Sequence, residues 1–209
     1  MRVEQTPLKD CFIIHEKVNG DARGYFIETY NSRDFKAATG LEIEFVQDNQ
    51  SRSSKGVLRG LHMQRGAAAQ AKLVRVLEGS VLDVAVDLRK GSPSFGQHHA
   101  IELSADNNKQ FFVPAGFAHG FVVLSDAAIF FYKVDKFYEP GNEVGIMYND
   151  KDLNIDWKLA DSEIILSEKD KTLGSFAAFA STYLMIPGRV RSLPTPNSAE
   201  VVRYPIFIP

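Results

Sequence analysis

Short runs of apolar, β-branched and aromatic residues recur along most of the chain, separated by glycine, proline, asparagine and aspartate. Residues 72–78 and 80–87 are two such runs, and Gly79 between them predicts a hairpin. The other strand-like runs are 12–14, 25–30, 45–51, 98–103, 110–113, 120–124 and 128–134. Regularly spaced short strands with little helical periodicity predict an all-β fold, an antiparallel barrel or double-sheet jelly roll.

Alternation within these runs assigns side chains to the two faces of the predicted sheets. Lys72 shares a face with Val74 and Val76, which allows two interpretations: a solvated strand end, or a cation that points into the barrel. On the next strand Asp83 and Asp87 share one face of a run that is otherwise apolar. Charged residues on apolar strands are candidates for a polar site.

Helical signals are few and short. Asn31, or the serine after it, is suited to cap a helix over 33–38, which Gly40 would end. Upstream, residues 19–24 are dense in turn formers and predict a loop between two strands, in which Arg23 is suited to bind an anion.

The pattern weakens after residue 171, and residues 188–209 are rich in proline. Proline-rich ends without periodicity are typical of extended segments. The sequence therefore predicts one domain over 1–187, with a few short helices, followed by an extended C-terminal tail over 188–209.

Composition and charge are those of an ordinary globular protein. The 209 residues are 44% hydrophobic and 24% charged, and the net charge of -2 disfavours nucleic acid or an anionic membrane as a partner. Cys11 stands alone, so no internal disulfide is expected, and with no apolar leader the chain is predicted to be cytoplasmic. No apolar run approaches the roughly 20 residues of a membrane helix.

The stretch 56–64 brings together a base, a guanidinium and an amide: His62, Arg59 and Gln64. A regular strand would place Arg59 and His62 on opposite faces. Both can reach one ligand only if the strand twists or bulges, which its two glycines permit. The competing interpretation is a histidine held in the core.

A second histidine, His119, ends the Pro-x-Gly-x-x-His pattern of residues 114–119. This pattern resembles the second motif of the cupin superfamily, and the resemblance implies a cupin-like jelly roll. Cupins that bind metal usually carry a histidine two residues after the first, where this chain has Gln64. An amide is a poor replacement for imidazole, so metal is disfavoured. A metal cupin that uses His62, His119 and a carboxylate is the alternative.

Without a metal, His62 is suited to act as a general base, because the pKa of a histidine lies near neutrality. Such a base usually needs an orienting carboxylate, and Asp170, Asp83 and Asp87 are the candidates that the sequence leaves open. For Asp170 the competing interpretation is a capping box with Ser167.

Three further residues have both a chemical and a structural interpretation. Lys72, if it points inward, is suited to stabilise an oxyanion. Tyr132 is either a core aromatic or a proton donor that faces the base across a pocket. Tyr138 follows Phe137 in a loop and is suited to stack on a planar ligand.

Taken together, these residues closely resemble those of the dTDP-4-dehydrorhamnose 3,5-epimerase family, the nucleotide-sugar epimerases of the cupin superfamily. The stretches that carry the resemblance are 20–28, 46–49, 57–62, 114–121, 132–133 and 167–170. It implies epimerisation of a dTDP-4-keto-6-deoxyhexose at C3 and C5 without a cofactor. Mono-epimerases that act on related 4-keto sugars share most of these residues and are an alternative, as is a sugar-binding cupin without activity.

The resemblance also implies a role for each candidate residue. His62 would be the base with Asp170 as its partner, Tyr132 the proton donor and Lys72 the oxyanion stabiliser. The residues implied to contact the nucleotide sugar are Arg23, Glu28, Gln47, Asn49, Arg59, His119, Tyr138, Glu143 and Lys169. A homodimer is implied in which Arg23 and Glu28 serve the neighbour's site.

Overall fold

The computed structural model describes residues 1–184, so the predicted boundary after residue 187 and the tail over 188–209 lie outside the described residues. The strands are β1 (Arg2–Gln5), β2 (Phe12–His15), β3 (Val18–Asp21), β4 (Gly24–Ile27), β5 (Gln47–Ser54), β6 (Leu58–Gln64), β7 (Lys72–Glu78), β8 (Ser80–Asp87), β9 (His98–Ser104), β10 (Lys109–Val113), β11 (Phe117–Val123), β12 (Ala127–Val134) and β13 (Glu143–Gly145). The α-helices are α1 (Ser32–Thr39) and α2 (Phe176–Leu184). Neither has the length and apolar character of a transmembrane segment.

Two antiparallel sheets form the body of the fold, which confirms the predicted double-sheet jelly roll. The six-stranded sheet has the order β1-β2-β10-β7-β12-β5, and the five-stranded sheet has the order β13-β6-β11-β8-β9. The strand pairs within both sheets are antiparallel. Strands β3 and β4 form a separate hairpin.

Strand alternation divides the apolar side chains between the space inside the two sheets and their outer faces. Val74 and Val76 of β7 belong to the inner core, together with residues from strands of both sheets. Leu73, which points the other way, packs with Phe35 of α1 on the outside of the six-stranded sheet. The sequence period had placed Lys72 on the face of Val74, and Lys72 accordingly points inward, not to a solvated strand end.

The helix α1 is confirmed in place, with caps of the expected types. The side chain of Asn31 accepts hydrogen bonds from the backbone N–H groups of Arg33 and Asp34. Gly40 closes the helix with a φ of 74°, a left-handed conformation that favours glycine.

Local signals were wrong or incomplete at several places. Residues 18–21, predicted in most part as a loop, are strand β3, because their backbone pairs with β4. The strand predicted over 25–30 ends at Ile27. Helix α2 lies where the sequence pattern weakens, and the ring of Phe176 at its start packs 5.6 Å from that of Phe95, a contact that local sequence does not encode.

Candidate active site

A cavity of about 590 Å³ opens between the two sheets. Strands from both sheets and the segment 165–170 line it. The predicted site residues among the lining side chains are Asn49, Arg59, His62, Lys72, His119, Tyr132, Lys169 and Asp170. The fold therefore brings eight of the thirteen candidate residues to one enclosed space, although they are spread over 122 positions of the chain.

An irregularity in β6 places Arg59 and His62 on the same cavity. His62 lies opposite His119 of β11, and Arg59 lies opposite Phe121, so three steps along β6 match two along β11. The extra residue reverses the alternation, as a β-bulge does. Gly60 is required there, because its φ is 122° and a Cβ would lie 2.6 Å from the Cα of Gly120. The predicted bulge is confirmed.

His62 is paired with Asp170, one of the three carboxylates that the sequence left open as its partner. The distance from His62 Nε2 to Asp170 Oδ1 is 2.5 Å, and the carboxylate is buried. The backbone N–H of Asp170 donates to Ser167 Oγ at 3.1 Å, so half of a capping box is present while the carboxylate faces the imidazole. Burial lowers the pKa of His62, and the charge of Asp170 opposes that shift. The arrangement favours a neutral imidazole with Nδ1 as its free acceptor.

The other two carboxylates have different partners. Asp83 lies 2.9 Å from Nε2 of His119, and both side chains are buried at the floor of the cavity. Asp87 accepts hydrogen bonds from Arg89, Ser92 and Ser94 instead. Burial alone would raise the pKa of Asp87, but these donors lower it to about 2. Asp87 is thus part of a structural cluster outside the cavity.

Lys72 and Tyr132 face His62 from the opposite sheet. Both belong to neighbouring strands of the six-stranded sheet, whereas His62 belongs to the five-stranded sheet. Burial lowers the pKa of Lys72 to about 8, while the charges of Asp83 and Glu143 act in the other direction. Burial, followed by the charge of Glu143, raises the pKa of Tyr132. At neutral pH the cavity therefore holds an ammonium and a protonated phenol opposite a neutral base.

Glu143 connects three of the predicted residues at the rim of the cavity. Its Oε1 accepts from Lys169 Nζ at 2.5 Å and lies 3.6 Å from His62 Nδ1. Its Oε2 accepts from the Tyr138 hydroxyl at 2.6 Å. Burial raises the pKa of Glu143, but hydrogen bonds from Lys169 and Tyr138 outweigh it and the net shift is downward. The carboxylate is therefore ionised at neutral pH.

The polar strand β5 supplies a row of side chains to the same cavity. Gln47 Nε2 donates to Asn49 Oδ1 at 2.8 Å, and Asn49 lines the cavity. The Nε of Arg59 donates to the hydroxyl of Ser53 at 3.1 Å. Sequence reasoning missed Ser53 as an orienting group for Arg59, although its alternation with Asn49 along one strand is a signal for it.

Arg23 and Glu28 do not line the cavity of their own chain. Arg23 lies in the turn of the β3–β4 hairpin, 90% of its side chain is exposed, and it pairs with Asp21. Glu28 accepts a hydrogen bond from Asn31 and lines a separate depression.

The carboxylates near the two cavity histidines are Asp83 at His119, and Asp170 and Glu143 at His62. Within residues 1–184 no group of three or more histidine, cysteine, aspartate and glutamate side chains has the geometry to hold a metal ion. Gln64, at the position of the second metal-binding histidine in cupins, accepts a hydrogen bond from the backbone N–H of Glu139 at 3.2 Å. Its amide therefore orients the loop that carries Tyr138.

Comparison with known proteins places this cavity in a family. The family described as dTDP-4-dehydrorhamnose 3,5-epimerase matches residues 5–178, which is most of the chain. The chain belongs to the dTDP-4-dehydrorhamnose 3,5-epimerase family.

Proteins of this family from three bacteria show how far the similarity extends. The Pseudomonas aeruginosa dTDP-4-dehydrorhamnose 3,5-epimerase is 52% identical over 177 residues, 85% of this chain and 97% of its own. The crystal structure of the Elizabethkingia anophelis dTDP-4-dehydrorhamnose 3,5-epimerase is 57% identical with a TM-score of 0.83, covering 85% of this chain and 97% of that one. A Legionella pneumophila dTDP-6-deoxy-D-glucose-3,5-epimerase, solved in complex with dTDP-4-keto-L-rhamnose, is 47% identical with a TM-score of 0.80, covering 83% and 92%.

The protein is an epimerase of the dTDP-rhamnose type, as the sequence resemblance predicted. The comparisons also agree with the jelly roll seen in the two sheets. The roles of the individual cavity residues are a separate question, which rests on the geometry described above.

Proposed function

We propose that the protein converts dTDP-4-dehydro-6-deoxyglucose to dTDP-4-dehydrorhamnose by inverting C3 and C5, with His62 as the base and Tyr132 as the proton donor. The observation that supports these roles is that the His62–Asp170 pair and Tyr132 reach one cavity from opposite sheets. A base and an acid on opposite sides of a sugar ring are what inversion of a carbon requires.

The chemistry follows from the C4 carbonyl of the substrate. The carbonyl acidifies the protons at C3 and C5, and removal of one by His62 places negative charge on O4. The Lys72 ammonium stabilises that charge, and Tyr132 returns a proton to the other face. Each acid or base role typically contributes roughly 10²- to 10⁴-fold in rate. The substrate is its own electron sink, so we expect no cofactor.

The remaining residues are assigned to the nucleotide diphosphate and sugar. Arg59 and Lys169 line the cavity and carry the charge to bind phosphate oxygens, for which a guanidinium fork is well shaped. Tyr138, 48% exposed, is placed at the rim to stack on the base. We assign sugar or nucleotide contacts to Gln47, Asn49, His119 and Glu143 as well, and expect a cytoplasmic enzyme.

The function is tested by incubation with dTDP-4-dehydro-6-deoxyglucose in heavy water, followed by proton NMR. We expect the C3 and C5 protons both to be replaced by deuterium and the product to have both carbons inverted. Loss of one proton alone would identify a mono-epimerase, and retention of both would refute proton abstraction by this protein. Metal content measured on the same sample tests the metal-cupin alternative, which requires a stoichiometric ion.

We propose further that the enzyme is a homodimer in which Arg23 and Glu28 reach the partner's cavity. Two observations support this: neither residue lines its own cavity, and Tyr25 and Phe26 beside them are 63% and 68% exposed. Large exposed aromatics on a hairpin are typical of a protein interface.

Mixing two inactive variants tests this exchange of residues. A chain with Arg23→Ala and a chain with His62→Ala each lack one part of every site in their own homodimer. In a mixed dimer one site has both residues, so random exchange of subunits should restore about a quarter of the wild-type activity. No recovery after verified subunit exchange would show that Arg23 does not act across the interface. Mixing the His62→Ala chain with a Lys72→Met chain is the control, because both changes lie in one cavity of each chain, and the mixed dimer then has no intact site.

A further inference from the structure

The proposed double inversion sets a proton balance that His62 and Tyr132 cannot meet alone. After the first inversion His62 holds the proton taken from the sugar, and Tyr132 has given one away. The second inversion again needs a neutral imidazole and a protonated phenol. One proton must therefore leave His62 and one must reach Tyr132 while the sugar still occupies the cavity.

Glu143 is the group best placed to accept the proton from His62. Asp170 occupies Nε2 of the imidazole at 2.5 Å, and Glu143 Oε1 lies 3.6 Å from the other nitrogen, Nδ1. A small movement of the carboxylate, or one intervening water, is enough to connect the two atoms. The Glu143 side chain is only 12% exposed, so it lies inside the protein next to the imidazole.

The same carboxylate also has contact with the outside of the protein. Its Oε1 accepts from Lys169, whose side chain is 56% exposed, and its Oε2 accepts from the half-exposed Tyr138. Glu143 therefore bridges a buried imidazole and two groups that reach solvent. Its charge also acts on Tyr132 and Lys72 across the cavity.

We propose that Glu143 is a proton relay that discharges His62 between the two inversions, an inference that rests on the proposed function. The Nδ1–H bond of the imidazolium breaks and an O–H bond forms on Glu143 Oε1, which leaves a neutral imidazole. The resulting carboxylic acid gives its proton to water beside Lys169 and Tyr138. The Tyr132 phenolate takes a proton from water, so the pair is reset and no net proton is consumed.

The relay is tested by Glu143→Gln in a single turnover, with rapid quenching and NMR of the sugar nucleotides. Glutamine keeps the size and much of the hydrogen bonding of glutamate but does not carry the proton. A loss of substrate contact would slow both inversions alike, so the measured quantity is the ratio of their rates. We expect the second inversion to slow about 100-fold more than the first, so that a singly inverted sugar accumulates. Increasing concentrations of imidazole buffer should restore the second inversion in this variant, because a diffusible base can replace a relay.

Glu139→Gln is the matched control, since Glu139 lies just before β13 and, within residues 1–184, its exposed carboxylate accepts a hydrogen bond from Asn142 alone. It should accumulate no singly inverted sugar. The relay is refuted if Glu143→Gln slows both inversions equally, or raises KM alone, with no response to buffer. A wild-type protein that exchanges neither C3 nor C5 proton in heavy water would instead refute the proposed function.

Discussion

Replacing His62 with alanine is expected to lower kcat by about 10²- to 10⁴-fold and to abolish proton exchange at both C3 and C5. The physical reason is that Asp170 holds Nε2 of His62 while Nδ1 stays free to accept a proton, and burial lowers the pKa of this imidazole, which favours its neutral form. The measurement is proton NMR of the substrate in heavy water. Exchange at the wild-type rate in the variant would remove His62 from the mechanism.

Three variants separate loss of the base from loss of structure. His15→Ala removes an imidazole at the end of β2 that pairs with Glu4 and does not line the cavity, and it should leave exchange unchanged. Tyr132→Phe should retain exchange while inversion is impaired, because the base remains and the donor is missing. Since the buried Asp170 loses its partner in His62→Ala, His62→Gln provides a second test in which a hydrogen bond to the carboxylate can persist.

Replacing Lys72 with methionine is expected to lower kcat by about 10²- to 10³-fold, the typical effect of removing one oxyanion donor. Lys72 lines the cavity, and within residues 1–184 its ammonium donates no hydrogen bond, so its charge is available to the substrate. Methionine fills the space of the lysine stem without the charge. A steady-state measurement of kcat at neutral pH checks this prediction.

The pH dependence gives an independent measurement of the same residue. Burial lowers the pKa of Lys72 to about 8, so the free enzyme loses this positive charge as the pH rises through that value. We therefore expect kcat/KM of the wild type to fall above about pH 8, and this limb to be absent in Lys72→Met. The Lys72→Met protein should also be more stable than the wild type at neutral pH, because the folded wild type then holds a charge that burial disfavours. This gain in stability should fade as the pH rises from about 8 to 10.5, since the folded wild type has by then lost the charge.

Lys133→Met is the control for both Lys72 measurements. Lys133 lies on the strand that carries Tyr132, but its ammonium pairs with Asp48 at 2.9 Å outside the cavity. Its replacement should leave the basic limb in place. If the limb also disappeared there, the titrating group would be other than Lys72.

The parts of the fold that sequence predicted well are those fixed by neighbouring residues. The runs 72–78 and 80–87 are β7 and β8 residue for residue, because alternation and Gly79, with a φ of 74°, specify a hairpin locally. The helix α1 was likewise encoded by its own caps. Helix α2 was missed because it packs on a distant segment, and strand β3 was missed because its turn-forming residues hide its pairing with the adjacent β4.

The candidate site shows the same division. Side-chain period placed Lys72 on one face with Val74 and Val76, and Asp83 on one face with Val81 and Ala85, but it left open which faces point inward. In the structure these valines and Ala85 belong to the inner core. The choice of Asp170 as the partner of His62 could not be derived from the residues alone, since 108 positions separate them and the contact depends on how the segment after β13 folds back. The family resemblance implied this pair, and in the structure the two side chains lie 2.5 Å apart.

The bulge at Gly60 fixes the separation of Arg59 and His62 along the cavity. Because Arg59 and His62 project from one irregular strand, the backbone sets the separation between the guanidinium proposed to bind phosphate and the imidazole proposed to take the proton. In a substrate with a different distance between the diphosphate and the reactive carbons, those carbons would not lie next to the imidazole. If the proposed roles hold, selectivity for the length of the substrate depends on the backbone conformation of Gly60.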